Sequence, residues 1–426
     1  MEKFVIQGQK PLKGTIETYG AKNAAFPLLA ATILTKQDCV IENLPMIEDV
    51  FRTIELLQSM KAKVEWIGKR KLLINTRHLD PSKIDTDLVL RFRGAILFFG
   101  PLLARFGKVQ LPQPGGCIIG ARSIDTHLDA FSQLGVRITK KPKQVFRLEF
   151  SGKLKTREVV LNEFSVTATE NMLLFAAGIP GNVVVKIVDQ DYQMQELSRV
   201  LSKMGAKVSL VGAHAVSVSG KKTLKGFKHV LMYDPIEAGT FIILGLLSKG
   251  EITVKNVEVR FLELFLKKLK DFGAVFAITQ KTRGLANITI KGPQSLVIDK
   301  VQSFIYPGIH SDLQSPLGVL ATQTKGSTLL HDPLYEGRLK YLEELTKMGA
   351  EVYLTDPHRA IINGPRKLRG TDLGSFDLRG GAALIIAGLV AKGQTTLSNI
   401  YQVDRGYEKI EERLQKVGAD IKRVTT

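Results

Sequence analysis

The feature that most constrains this chain is a turn that returns six times along its 426 residues. The six instances are Met60-Lys61-Ala62-Lys63-Val64, Leu134-Gly135-Val136-Arg137-Ile138, Met204-Gly205-Ala206-Lys207-Val208, Phe272-Gly273-Ala274-Val275-Phe276, Met348-Gly349-Ala350-Glu351-Val352 and Val417-Gly418-Ala419-Asp420-Ile421. They lie about 70 residues apart, well above the periods of common solenoid repeats. Glycine just past a helix end accepts left-handed backbone angles, and the alternating apolar residues that follow start a strand. Lysine holds the glycine position in the first instance. The preceding helices show core-facing spacing, as at Leu262, Phe265, Leu266 and Leu269. The first helix of a unit is apolar nearly all round, as in Thr240 to Leu247 and Ala383 to Val390, which predicts burial. Six such units, divided three and three, predict an α/β protein of two similar lobes with a cleft between them. No Pro/Gly/Ser-rich linker separates them, so a boundary near residues 229–233 rests on counting units.

Composition narrows the class. The length is two to three times a common domain size, and 44% of residues are hydrophobic, enough for substantial cores. Only Cys39 and Cys117 occur, too few for a disulfide framework and suited to a reducing cytosol. The first eight residues lack the apolar core of a signal peptide, and the longest apolar runs are too short to cross a bilayer. The expectation is a cytoplasmic protein without membrane insertion. The formal charge of +19 would attract phosphorylated metabolites, nucleic acid or anionic lipid. The cations are spread along the chain without a basic tail or interleaved aromatics, so no nucleic-acid partner is expected. There is no His-x-x-x-His pair, Cys-x-x-Cys, Walker loop or Rossmann fingerprint, and no metal is expected.

Four segments are similar to motifs of the UDP-N-acetylglucosamine 1-carboxyvinyltransferases, the UDP-N-acetylglucosamine enolpyruvyl transferases. They are Gly20-Ala21-Lys22-Asn23-Ala24-Ala25, Gly100 to Gly107, the loop Gly115-Gly116-Cys117-Ile118-Ile119-Gly120-Ala121-Arg122, and Asp404 to Ile410. The similarity covers essentially the whole chain. It implies an inside-out α/β barrel in each of two lobes, a first of residues 22–231 and a second of 1–21 and 232–426, with the active site in the cleft between them. It also implies transfer of enolpyruvate from phosphoenolpyruvate to the 3′-hydroxyl of UDP-N-acetylglucosamine, with release of phosphate. This opens peptidoglycan precursor synthesis and proceeds by addition then elimination, without metal or organic cofactor.

Phosphoenolpyruvate carries a phosphate and a carboxylate, so its site needs fixed cations, bidentate where arginine supplies them. By the resemblance, Lys22, Arg122 and Arg405 take these roles, and Arg122 also precedes an expected helix from Asp125 to Leu134. Alone, each would read as one of 60 surface cations. Protonating the methylene carbon needs an acid. Cys117 sits in a Gly-rich loop near Arg122, a setting that lowers a thiol pKa; the resemblance makes it the general acid or a helper in product release, and the target of fosfomycin. Cys39, in a strand-like run, reads as a buried structural thiol. Asp312 matches the family's base for the acceptor hydroxyl, although a capping aspartate is the alternative. Asn23, Arg93, Arg338, Asp377 and Arg379 match substrate-holding residues, with structural ion pairs the alternative for Arg93, Arg338 and Asp377. Ser165, Val166 and Thr167 match the stretch that touches the uridine.

The chain also departs from the family pattern. Glu163 replaces a lysine near the nucleotide, Ser123 a proline, Thr167 a glycine, Gln193 a glutamate and Gly337 an asparagine, and Ile309-His310-Ser311 replaces Phe-Pro-Thr. Most of these lie on the nucleotide-sugar side, so the donor is read more firmly than the acceptor. Two alternatives stay open: a 5-enolpyruvylshikimate-3-phosphate synthase-like transferase, and a weakly catalytic UDP-sugar-binding regulator. Sequence leaves the oligomeric state undetermined.

Overall fold

The protein is represented by a computed structural model that describes residues 2–116, 119–120, 122–282 and 284–425. The chain forms two compact units. One comprises Gly20–Gly116 and Arg122–Met232; the other, over its described residues, comprises 2–19, 119–120, 233–282 and 284–425.

The repeated turn is the same structure six times. It closes the helices Glu48–Ser59, Asp125–Gln133, Tyr192–Met204, Glu263–Asp271, Tyr341–Lys347 and Ile410–Gln415. The N–H groups of Lys61, Gly135, Gly205, Gly273, Gly349 and Gly418 each reach the carbonyl three residues back, at 2.8–3.0 Å. The next N–H in each reaches five residues back, to a Leu or Phe carbonyl, at 2.9–3.1 Å. Together these are the two bonds of the Schellman motif, which satisfy carbonyls orphaned at the helix end. The five glycines take φ between 91° and 103°, and Lys61 takes 67°. A side chain in that region costs about 1–2 kcal/mol, so the first unit keeps the turn against its own residue preference.

The second helix type fills the interiors. These helices are α1 (Lys22–Ala31), α2 (Phe99–Phe106), α3 (Val166–Ala177), α4 (Pro235–Leu247), α5 (Gln314–Ala321) and α6 (Leu378–Val390). Every residue of α4 and α5 is buried. That explains their nearly continuous apolar sequence, since neither has a solvent face. Among the described residues, strands surround them in six separate sheets, three per unit. In a typical sheet Lys228–Val230 runs parallel to Cys39–Glu42, which pairs antiparallel with Lys71–Asn75, itself paired with Lys63–Gly68. Strands such as Gly181–Lys186 alternate buried and outward residues, so one sheet face covers the helices and the other meets water. Each unit is therefore an inside-out α/β assembly.

The N-terminal strands close the sheets of the unit that holds most of the C-terminal half. Glu2–Gln7 pairs antiparallel with both Gln394–Ser398 and Asp420–Thr425, and Leu12–Glu17 pairs parallel with Gly250–Glu258. Among the described residues no helix is long and apolar enough to cross a membrane.

Candidate functional site

Residues singled out by sequence form one group in each unit. In the unit of residues 20–116 and 122–232, Lys22 opens α1, and its Nζ lies 2.9 Å from Asp49 Oδ2 with both side chains buried. Asn23 Nδ2 donates to the Tyr192 hydroxyl at 3.2 Å. Arg93 Nη2 donates to the Ser123 carbonyl at 2.8 Å. Gly116, at φ +139°, brings Arg93 and Arg122 together, since a Cβ there would lie 2.8 Å from Arg122 Nη2 and 3.1 Å from Arg93 Cβ. Ser123 Oγ accepts from Asp125 N–H at 2.9 Å just ahead of the helix, whose N-cap is Ile124, and the helix ends at Gln133 with Leu134 as its C-cap. Ser165 caps α3, whose first turn carries Val166 and Thr167.

The departing residues of this unit are held by neighbours. Glu163 Oε1 accepts from Thr126 Oγ1 at 2.9 Å, and Thr167 Oγ1 lies 3.1 Å from His127 Nε2. His127 is buried, and burial followed by the Arg93 charge holds its pKa down to about 3. Gln193 is buried at the start of Tyr192–Met204. Next to this group Glu170 is fully enclosed, and burial, then Asp189 and Asp191, raise its pKa well above the ordinary carboxyl value.

The group in the other unit centres on Asp312, in the turn that leads into α5. Its Oδ1 accepts from Arg338 Nη2 at 2.9 Å and its Oδ2 from Arg379 Nε at 3.0 Å. Both arginines are buried, at 3% and 1% exposure. Burial works against the Arg338 charge, but Asp312, then Asp377 and Asp332, outweigh it and raise its pKa. Arg338 Nε also donates to Ser311 Oγ at 3.1 Å, and Ser311 Oγ donates to Asp332 Oδ2 at 2.5 Å. Asp377 caps α6 by accepting from the Arg379 and Gly380 N–H groups at 3.0 and 3.1 Å, and lies 3.7 Å from Arg338 Nη1. His310 Nδ1 accepts from Asp312 N–H at 3.0 Å, so that nitrogen carries no proton.

Arg379 is unusual. Its guanidinium lies 5.3 Å from the Tyr407 ring centroid, and among the described residues its buried Nη1 and Nη2 have no acceptor at hydrogen-bond geometry. Burial works against its charge, and Tyr407 is the neighbouring polar side chain that raises its pKa. Buried donors of a charged group are costly to leave unmade, so such a pair suits an anionic ligand. Arg405 is buried and donates from Nη1 to Gln402 Oε1 at 3.0 Å. Its neighbour Asp404 is fixed by Arg423, which reaches both carboxylate oxygens at 2.6 and 2.9 Å.

Cys117 lies outside the described residues. Its loop neighbour Ile119 accepts from Gly337 N–H at 2.9 Å, and a Cβ on Gly337 would sit 2.7 Å from the Ile119 carbonyl carbon. The glycine found where the family pattern has asparagine therefore admits the loop backbone. Cys39 is buried, and burial pushes its thiol up to about 12, in keeping with a structural thiol. Among the described residues no group of His, Cys, Asp and Glu is arranged to hold a metal.

The sequence reading did not single out Asp49, His127, Asp332 or Tyr407. Tyr407 stood inside the Asp404 to Ile410 motif and His127 inside the expected helix after Arg122. Asp49 and Asp332 carry no local signal, since each is defined by a partner elsewhere in the chain.

The inside-out α/β fold, with arginines and lysines gathered at helix starts, defines the enolpyruvyl transferase class. The profile of EPSP synthase (3-phosphoshikimate 1-carboxyvinyltransferase) matches residues 6–414. The UDP-N-acetylglucosamine 1-carboxyvinyltransferase of Treponema denticola is 38% identical over 99% of both chains. That of Koribacter versatilis is 36% identical over 100% of this chain and 97% of its own. Among solved structures, the enolpyruvyl transferase NikO from Streptomyces tendae superposes with a TM-score of 0.89 at 23% identity, covering 100% of this chain and 99% of NikO. EPSP synthase from Acinetobacter baumannii gives 0.77 at 18% identity, covering 100% of both. The chain belongs to the enolpyruvyl transferase family, within the UDP-N-acetylglucosamine 1-carboxyvinyltransferases.

Proposed function

We infer that the protein transfers enolpyruvate from phosphoenolpyruvate to the 3′-hydroxyl of UDP-N-acetylglucosamine, releasing phosphate, as the entry step to peptidoglycan precursors in the cytoplasm. Full-length identity of 34–38% to enzymes named for this activity supports the reaction. The observation that carries the site is Asp312 held between two buried arginines.

In this reading, Lys22, Arg122 and Arg405 bind the phosphate and carboxylate of phosphoenolpyruvate, with Arg379 as a further anion ligand. Asn23, Arg93, Arg338 and Asp377 hold the substrates and each other in register. Ser165, Val166 and Thr167 meet the uridine. Asp312, with one arginine on each of its carboxylate oxygens, takes the proton of the acceptor hydroxyl. In the addition step the acceptor oxygen bonds to C2 of phosphoenolpyruvate, its proton passes to Asp312, and C3 takes a proton from Cys117. In the elimination step the Cys117 thiolate takes a proton back from C3, the C2–O bond to phosphate breaks with phosphate leaving, and the C2=C3 double bond re-forms to give the enol ether. General acid and base groups of this kind contribute about 10²–10⁴-fold each.

Phosphate release with phosphoenolpyruvate and UDP-N-acetylglucosamine, in wild type, Cys117→Ser and Asp312→Ala, tests these roles. Both variants should lose turnover; full activity in Asp312→Ala would remove it as the base.

A further inference from the structure

Cations occur throughout the chain, yet much of the +19 charge is gathered away from the residues assigned to the reaction. Residues 137–157 hold eight lysines and arginines and a single acidic residue, Glu149, a net +7 in 21 residues. They belong to the sheet of Lys108–Pro112, Val145–Glu149 and Arg137–Lys141 and to the segment that follows it. Register places Lys108, Glu149 and Arg137 in one row across the sheet, Gln110, Arg147 and Thr139 in the next, and Lys141 beyond them. Alternate residues of a strand share a face, so all of these lie on one side. The intervening Val109, Leu111, Phe146 and Leu148 are buried, so the charged side is the outer one. Glu149 accepts from Arg147 at 2.7 Å and from Arg137 at 2.8 Å, and the two arginines hold its pKa down. Lys143 stands in the turn between two of the strands, and Lys155 N–H donates to the Leu134 carbonyl at 3.1 Å, beside the start of the third. Among the described residues, Lys108, Lys143, Lys153 and Lys155 are exposed and form no ion pair.

Lysine on an edge strand guards it against pairing with a foreign sheet. That accounts for Lys140 and Lys141 on Arg137–Lys141, which is an edge, but not for Arg147 on the central strand or for the lysines of the turn and the following segment. We propose that this outer sheet face docks the protein onto an anionic lipid surface, with headgroup phosphates against Lys108, Arg137, Lys141, Arg147 and the flanking lysines. The cations spread over three neighbouring strands, which suits a plane of charge better than a narrow ligand. Clusters of four to eight basic residues adsorb to acidic bilayers, each cation within a Debye length of the surface adding about fivefold to partitioning. The aromatic residues of the segment offer nothing for a nucleic-acid base to stack on. Phe146 is buried, and Phe150 packs edge-on against Phe175 at 5.1 Å. Docking of this kind is electrostatic, needs no insertion and does not depend on which acceptor the enzyme uses.

Co-sedimentation of the full chain with vesicles of phosphatidylglycerol and phosphatidylcholine in equal parts, and of phosphatidylcholine alone, tests the inference. The face variant is Lys108→Gln/Lys141→Gln/Lys143→Gln. The control, Lys13→Gln/Lys291→Gln/Lys300→Gln, removes the same charge from exposed positions of the other unit. Wild type should sediment with the anionic vesicles, not with phosphatidylcholine alone, and should be released as added salt shortens the Debye length. The face variant should partition about a hundredfold more weakly, while the control stays near wild type. Urea midpoints and phosphate release should be the same in all three, since none of the six lysines belongs to a core or to the reaction. Wild type that stays in solution beside anionic vesicles overturns the proposal. An equal loss in the two variants overturns it as well, because it marks net charge alone. Tighter binding of single-stranded or duplex DNA than of vesicles at equal phosphate, lost in the face variant, assigns the face to nucleic acid and overturns the lipid reading.

Discussion

At the scale of single residues, Asp312 separates two effects that sequence matching merges. As a base it supplies a proton-accepting oxygen; as a counter-ion it neutralises Arg338 and Arg379, both buried. Asp312→Asn keeps an acceptor oxygen near the arginines and should cost about 10²–10⁴-fold in kcat. Asp312→Ala should add a stability loss of about 3 kcal/mol, because two enclosed guanidinium groups are left facing one another. Denaturant midpoints of the two variants measure the difference, and equal midpoints would show that the ion pairs carry little. Gly337 gives the opposite lesson. Replacing it with the family's asparagine should lower turnover about tenfold or more, because the Ile119 backbone must move and the Cys117 loop with it. Turnover at or above wild type in Gly337→Asn would contradict that account. The motif positions were legible in the sequence because each lies inside a contiguous pattern. Their partners were not: Asp312 meets arginines 26 and 67 residues further along, a pairing that only the packing of three helix starts creates.

At the scale of elements, the turn that repeats along the chain proved to be one hydrogen-bonding device used six times. Its legibility has a physical basis, since a left-handed residue selects glycine and the following edge strand selects alternating residues. Lys61 is the exception that tests the argument. It takes the left-handed φ of 67°, and its exposed ion pair with Asp80, at 3.7 Å, offsets little of the cost. Lys61→Gly should therefore stabilise the protein by roughly 1 kcal/mol, read as a higher urea midpoint at constant slope. No change, or a lower midpoint, would mean that the glycine preference is not what maintains the turn. The burial of α4 and α6 was equally visible in their unbroken apolar runs. The hydrogen-bonded run His127–Asn171–Gly100 was not, because its members come from three separate elements and follow no spacing rule.

At the scale of the whole molecule, buried ionisable groups give stability two opposed pH slopes. His127 binds its proton at about pH 3 when folded and at about 6.5 when unfolded. The unfolded chain thus holds more protons between those values, so its contribution is complete above pH 6.5 and is lost as the pH falls toward 3. Glu170 acts in the other sense. Its folded pKa is raised well above 4.5, so it costs stability progressively as the pH rises above 4.5. Glu170→Gln should match wild type near pH 4.5 and gain on it at higher pH, with a slope of up to about 1.4 kcal/mol per pH unit. A pH-independent difference between the two would place the charge of Glu170 elsewhere. Fold and family were readable from the chain alone, whereas the acceptor was read less firmly than the donor, because the departures from the family pattern lie mostly on the nucleotide-sugar side. The most direct test is phosphate release from phosphoenolpyruvate with either UDP-N-acetylglucosamine or shikimate 3-phosphate as acceptor. The expected result is phosphate release with UDP-N-acetylglucosamine, matched by an enolpyruvyl ether at its 3′-oxygen, and none with shikimate 3-phosphate. Release with shikimate 3-phosphate alone, or with neither, would contradict the assignment.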